Sequence, residues 1–341
     1  MALRWVEGFE TFGNLNDTPS VWGDYFYGKY IAGFCDGNSS KLVEGYRGIG
    51  LALLLDDFNY NYFSAGVENS QVLTAGCAYK TGIDVYYYGE VILSFKDYIN
   101  TQIDLIILRD MGSGTHELLL RRGSTTLDTL GFINPDEWVY LEVQVTISNT
   151  GSYECRKNGA VVCSGSNVDT QDSANAYATQ VNFGPNKGSY DDAYVLDDDP
   201  GLDDFLGPIK VRRALPTADV SAQWTRSTGV NNYANVDEVP PSLTDYNYSK
   251  TSAHLDLFDF QDSAGDILGA QLNVGAKLSE PGGKGLTLVC DSNATQQTDD
   301  IQLGDSELPL VHTLTLDTDP DTLALWTQAG FNAAQWGVKV V

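Results

Sequence analysis

Seven aspartates, Asp191, Asp192, Asp197, Asp198, Asp199, Asp203 and Asp204, fall within fourteen residues. Oxygen-rich clusters suit calcium, which takes six to eight hard ligands. Asp191, Asp192, Asp197 and Asp199 are therefore candidate calcium ligands, although no EF-hand spacing occurs. The alternative is structural: Asp191-Asp192 begins a strand and fixes its turn by side-chain hydrogen bonds. Asp317, Asp319 and Asp321 read as a helix N-terminus, where carboxylates meet free backbone N–H groups. Exposed aromatics beside Asn, Asp and Gly suit sugars, and Trp22, Tyr25, Tyr60, Tyr62 and Tyr87 qualify by composition. Aromatic strands also serve cores and protein interfaces.

No catalytic constellation stands out. His116, His254 and His312 are the only histidines. Ser113 sits in Gly112-Ser113-Gly114, without the Gly-x-Ser-x-Gly elbow of a nucleophile. His116, in a turn before a strand, reads as an exposed polar residue. Glu7 and Glu10 face opposite sides of a strand and read as surface carboxylates. Cys35 lies near Asp36 with no neighbouring histidine and reads as a core thiol. The expected catalytic set is empty, and no cofactor is expected beyond that calcium.

There are five cysteines and no CxxC spacing, which argues against a thiolate metal site. If Asn158-Gly159 is a two-residue hairpin loop, Cys155 faces Val162 and Cys163 faces Glu154. The two sulfurs then lie on opposite faces of the ribbon, and no bridge is expected. Met1-Ala2-Leu3-Arg4-Trp5 leads into polar sequence without a secretory leader, so free, mostly buried thiols made in a reducing cytoplasm are expected. The formal net charge of −26 argues against nucleic acid and against an anionic membrane surface. No apolar run is long enough for a transmembrane helix.

The elements that position these residues are strands. With 341 residues the chain is long enough for two domains, and its 34 glycines and 19 tyrosines suit turns and aromatic strands. Trp138–Ile147 alternates: Val139, Leu141, Val143, Val145 and Ile147 point one way, the polar residues the other, as in a strand with one buried face. Asn158-Gly159 is a type I′ hairpin signal. Further strands are expected at Ile49–Leu55, Val85–Phe95, Ile103–Leu108, Glu117–Arg121 and Ala160–Cys163, at Gly207–Leu215, and again at Ala253–Phe260, Ile267–Ala276, Gly285–Cys290, Leu310–Leu316 and Gly337–Val341. One helix is expected over Pro320–Ala334, capped by Asp319. A boundary near Pro216 divides the chain into residues 1–215 and 216–341.

Three segments resemble the concanavalin A-like, laminin-G-type jelly rolls: Glu7-Gly8-Phe9-Glu10 their opening, Trp138–Ile147 with the Asn158-Gly159 hairpin their centre, and Gly184 with Tyr190–Val195 their closing strand. The resemblance implies an all-β chain, a jelly-roll sandwich over 1–215, and calcium at the sandwich rim. Asp219–Glu238 and Asp319–Val340 resemble tailed-bacteriophage structural proteins, in which a smaller β domain with a short helix follows the jelly roll. That resemblance implies a non-enzymatic virion component (tail, baseplate, fibre or decoration) made in the host cytoplasm. It would bind other virion proteins and form a homo-oligomer, a trimer by preference, through residues 216–341. The alternatives are an adhesin for a host surface glycan and, behind it, a glycoside hydrolase.

Overall fold

A computed structural model describes the chain except residues 31–32, 35–39, 56–60, 82–88, 110–113, 185–187, 200, 203–204, 281–284 and 305–308. Cys35, Tyr60, Tyr87 and Ser113 lie outside the described residues. The chain forms two units. One comprises residues 1–23 and 30–212, the other residues 24–29 and 213–341. Both are built from antiparallel sheets, and the architecture is a jelly-roll-like β-sandwich followed by a smaller β unit.

In the first unit the strands are β1 (Ala2–Glu7), β2 (Gly33–Phe34), β3 (Lys41–Glu44), β4 (Leu51–Leu55), β5 (Tyr62–Ser70), β6 (Val72–Thr81), β7 (Glu90–Asp97) and β8 (Asn100–Arg109). They continue with β9 (His116–Arg122), β10 (Thr125–Ile133), β11 (Trp138–Thr146), β12 (Gly151–Lys157), β13 (Ala160–Val168), β14 (Ala178–Phe183) and β15 (Gly188–Asp197). One sheet runs β13-β12-β11-β6-β15-β4-β3, with β1 also on β15. The other runs β10-β9-β8-β7-β14-β5-β2. Alternate residues of both sheets point inward. One such row crosses the second sheet as Phe63, Phe183, Leu93, Leu105 and Leu120, all buried. The rings of Phe63 and Phe183 stack at 5.0 Å, and Trp5 stacks on Phe183 at 5.6 Å.

The Trp138–Thr146 strand departs from the expected pattern. Val139, Leu141, Val143 and Val145 are buried, but so are Tyr140 and Glu142 on the other face. The reason lies downstream. Gly207–Leu215 is not a strand. Instead Leu202, Leu206 and Ile209 pack with Leu3, Ala78, Tyr140, Tyr194 and Leu196 in a second apolar layer on that sheet's outer face. Gly76 lies beneath this layer, where a Cβ would come within 2.4 Å of the Tyr194 ring.

The hairpin turn forms as its sequence requires, with positive φ at Asn158 (53°) and Gly159 (80°) and Lys157 paired with Ala160. The next step differs from expectation. A bulge between Cys155 and Arg156 skips Val162, so Cys163 pairs with Cys155. A two-for-one step of this kind moves a residue to the other face of the ribbon.

The second unit holds β16 (Pro216–Ala222), β17 (Thr225–Arg226), β18 (Asn247–Tyr248), β19 (Leu255–Phe260), β20 (Ala270–Ala276), β21 (Leu286–Ser292), β22 (Thr295–Ile301), β23 (Leu310–Leu316) and β24 (Gln335–Val340). Its main sheet runs β16-β19-β24-β21-β22, and β20 pairs with β23. Leu286, Leu288, Cys290, Leu314, Trp326 and Trp336 form its core. Among the described residues, α1 (Pro19–Lys29) and α2 (Gln328–Ala333) are the α-helices. The expected Pro320–Ala334 helix shrinks to α2, because Leu323 adopts positive φ (54°) and Thr318 bridges Leu325. Thr327, not Asp319, caps it, its hydroxyl accepting from Gly330 N at 3.0 Å.

Candidate functional site

The strongest cluster of polar side chains lies on the face of the seven-stranded sheet that points away from the core. Strand register sets it: Ser64 on β5 faces Asn182 on β14, which faces Ser94 on β7, then Asp104 on β8, then Arg121 on β9. Each is the outward neighbour, by alternation, of a residue in the inward Phe63–Leu120 row. Four inter-strand steps of about 4.8 Å make this row ~19 Å long. Lys96 and Gln180 face each other in the row beside it. On the other side lie Val91, Ile106 and Leu119.

The row is partly withdrawn from water. Ser94 and Asn182 are buried; Asp104, Arg121 and Lys96 are half-buried. The Ser94 hydroxyl donates to Asp104 Oδ1 at 2.6 Å. Burial raises the Asp104 carboxyl above the usual range, against the Ser94 hydrogen bond and the charges of Lys96 and Arg121; Asp172 adds to the rise. Asn182 Oδ1 and Arg121 Nε are buried with no hydrogen-bond partner among the described residues. Buried polar atoms are nearly always paired, so two orphans on one row mark a place for an external partner. The arrangement supplies a carboxyl poised for proton transfer, two cations beside it, and a free acceptor and donor at its flanks.

The expected sites fare differently. Trp22 is fully buried, its indole donating to Asp17 O at 3.1 Å and packed edge-on against Phe12, so it presents no face to a sugar. Tyr25 is half-buried with the Lys29 ammonium over its ring at 5.7 Å, and Tyr62 is half-buried on β5. Among the described residues the aspartates do not gather; Asp203 and Asp204 lie outside them. Asp191 and Asp192 are buried in the middle of β15. Asp191 Oδ2 accepts from Tyr46 N at 2.7 Å, and Asp192 Oδ1 from Val211 N at 2.7 Å. Asp197 ends the same strand, and both it and Asp199 are ion-paired with Arg4. Six residues of strand span about 20 Å, too far for a shared ion. Among the described residues no group of three or more His, Cys, Asp or Glu is placed to hold a metal.

Of the expected surface groups Glu7, Glu10 and His116, two are interior and Glu10 is half-buried. Glu7 is buried, its carboxylate accepting from Gly8 N, Phe9 N and the Tyr30 hydroxyl. His116 is buried at the start of β9. Sequence reading missed the Ser94–Asp104–Arg121 row altogether. Its members are scattered over residues 64–182, and the local signal is a single polar residue within an otherwise apolar strand, as Asp104 is within Ile103–Leu108.

No family model and no curated protein matches this chain. Among solved structures, a marine alginate lyase from Aplysia kurodai matches at 9% identity, covering 58% of this chain and 100% of that one, with a TM-score of 0.40. The endo-β-1,4-glucuronan lyase of Trichoderma reesei matches at 13% identity over 50% of this chain and 91% of that one, TM-score 0.37. A carbohydrate esterase from the Shiga toxin-encoding bacteriophage phi24B matches at 12% identity over 47% and 87%, TM-score 0.35. At this distance the likeness speaks to the fold alone. The expectation of a non-enzymatic virion component is withdrawn: the solved structures named for this likeness are mostly polysaccharide lyases, with one phage-derived esterase, and no activity is carried over from them to this chain.

Proposed function

We propose that the first unit processes an acidic polysaccharide laid along the Asn182–Ser94–Asp104–Arg121 row, by elimination across the glycosidic bond. The observation that carries this reading is the Ser94-bound Asp104 carboxyl with raised proton affinity, on one row with the partnerless Arg121 Nε and Asn182 Oδ1. Elimination from a uronic acid needs the sugar carboxylate neutralised, so that the adjacent C–H becomes acidic. It also needs one group to take that proton and a proton for the departing glycosidic oxygen. Arg121 and Lys96 provide the neutralising charge, Asp104 takes the proton and returns it to the leaving oxygen, and Asn182 with Gln180 orients hydroxyls. A pair of carboxyls flanking the bond, as hydrolysis requires, is not what this row offers: Ser94, Arg121 and Asn182 surround a single one.

The test is a panel of uronic-acid polysaccharides incubated with the full chain, with unsaturated product read by ultraviolet absorbance. Cleavage by the native chain, reduced roughly 10²–10⁴-fold in Asp104→Asn, supports the assignment. Binding without cleavage would reduce the row to a recognition surface. Absence of both across the panel would dismiss the proposal.

A further inference from the structure

Cys155 on β12 and Cys163 on β13 are direct cross-strand partners. Antiparallel partners have Cα atoms about 4.5–5.5 Å apart, inside the 4.4–6.8 Å that a disulfide spans. The bulge that skips Val162 brings both thiols to the inward face, where Cys155 is buried and Cys163 is half-buried. Cys77 and Cys290, by contrast, are buried singly in the cores of the two units.

We infer that Cys155 and Cys163 form a redox-closing site, oxidised to a cross-strand disulfide by a soluble disulfide of the glutathione class. The Cys163 thiolate attacks one sulfur of the soluble disulfide, forming a mixed disulfide and releasing one small thiolate. The Cys155 sulfur then attacks Cys163 Sγ, forming the Cys155–Cys163 bond and releasing the second. The two protein thiols lose two protons and two electrons; the soluble disulfide takes up both as two thiols. The order of attack follows from exposure, Cys163 being half-buried and Cys155 buried; the neighbouring thiols also shift in opposite directions, Cys163 below its ordinary value and Cys155 well above. The product staples β13, at the edge of the sheet among the described residues, to its neighbour β12.

The experiment treats the reduced full chain with oxidised glutathione and counts thiols after denaturation. Five thiols should fall to three. Trypsin cuts after Arg156 and Lys157, so it parts the two cysteines, and their peptides should stay joined until reduced. Cys163→Ser should keep its remaining thiols out of any bridge to Cys155. A count that stays at five, a glutathione adduct persisting on Cys163, or a bridge to another cysteine would each overturn the inference.

Discussion

The carboxyls differ in how they are held. Asp104 keeps one hydroxyl partner and two nearby cations, an arrangement open to a ligand. Asp191 and Asp192 are closed in by backbone N–H groups of Tyr46, Asp192 and Val211. Burial raises both, and for Asp191 the neighbouring Asp192 charge adds to it. The folded chain then binds more protons than the unfolded one above the ordinary aspartate value of about 3.9. Stability from this pair is present at lower pH and is lost as pH rises through the raised values. Thermal melts should therefore show a falling midpoint as pH rises from about 4, and Asp191→Asn should flatten that slope. An unchanged slope would mean the pair does not titrate in that window. Glu142 is another buried carboxylate, its Oε1 accepting from the Tyr194 hydroxyl at 2.6 Å and Gly207 N at 2.8 Å. Tyr194→Phe removes one of these and should cost about 1–3 kcal/mol in denaturant unfolding.

At the scale of elements, the strands were legible where alternation or turn chemistry was strong. Trp138–Thr146 and the Asn158-Gly159 turn follow from their residues. The bulge after Cys155 did not, since no residue there demands it; the pairing of β12 with both neighbours does. The expected long helix failed for a related reason. Asp319 uses its backbone O and Oδ1 to fold a tight turn, accepting from Leu323 N and Asp321 N, so the helix starts only after Thr327. Thr327→Ala should cost about 1 kcal/mol. Gly76→Ala should cost more, about 1–3 kcal/mol, because the new methyl meets the Tyr194 ring from within a strand that cannot shift alone. Chemical denaturation of the two variants checks the ranking.

Over the whole molecule, 46 acidic residues against 20 basic ones repel one another at neutral pH. Added salt screens that repulsion, so the melting midpoint should rise between low ionic strength and about 0.5 M salt. A fall instead would show that the ion pairs of Arg4 and Arg122 outweigh the net charge. The sequence by itself determined the fold class, the abundance of strands and the type I′ turn, because alternation and turn residues act over a few positions. Tertiary structure alone decided the rest. It placed Leu202, Leu206 and Ile209 over a sheet face that alternation marked as polar, paired Cys155 with Cys163, and separated Asp191 from Asp197. It also assembled Asn182, Ser94, Asp104 and Arg121 from four strands into one row. Strand order and register depend on contacts between residues far apart in the chain, and no local pattern encodes which strand lies beside which.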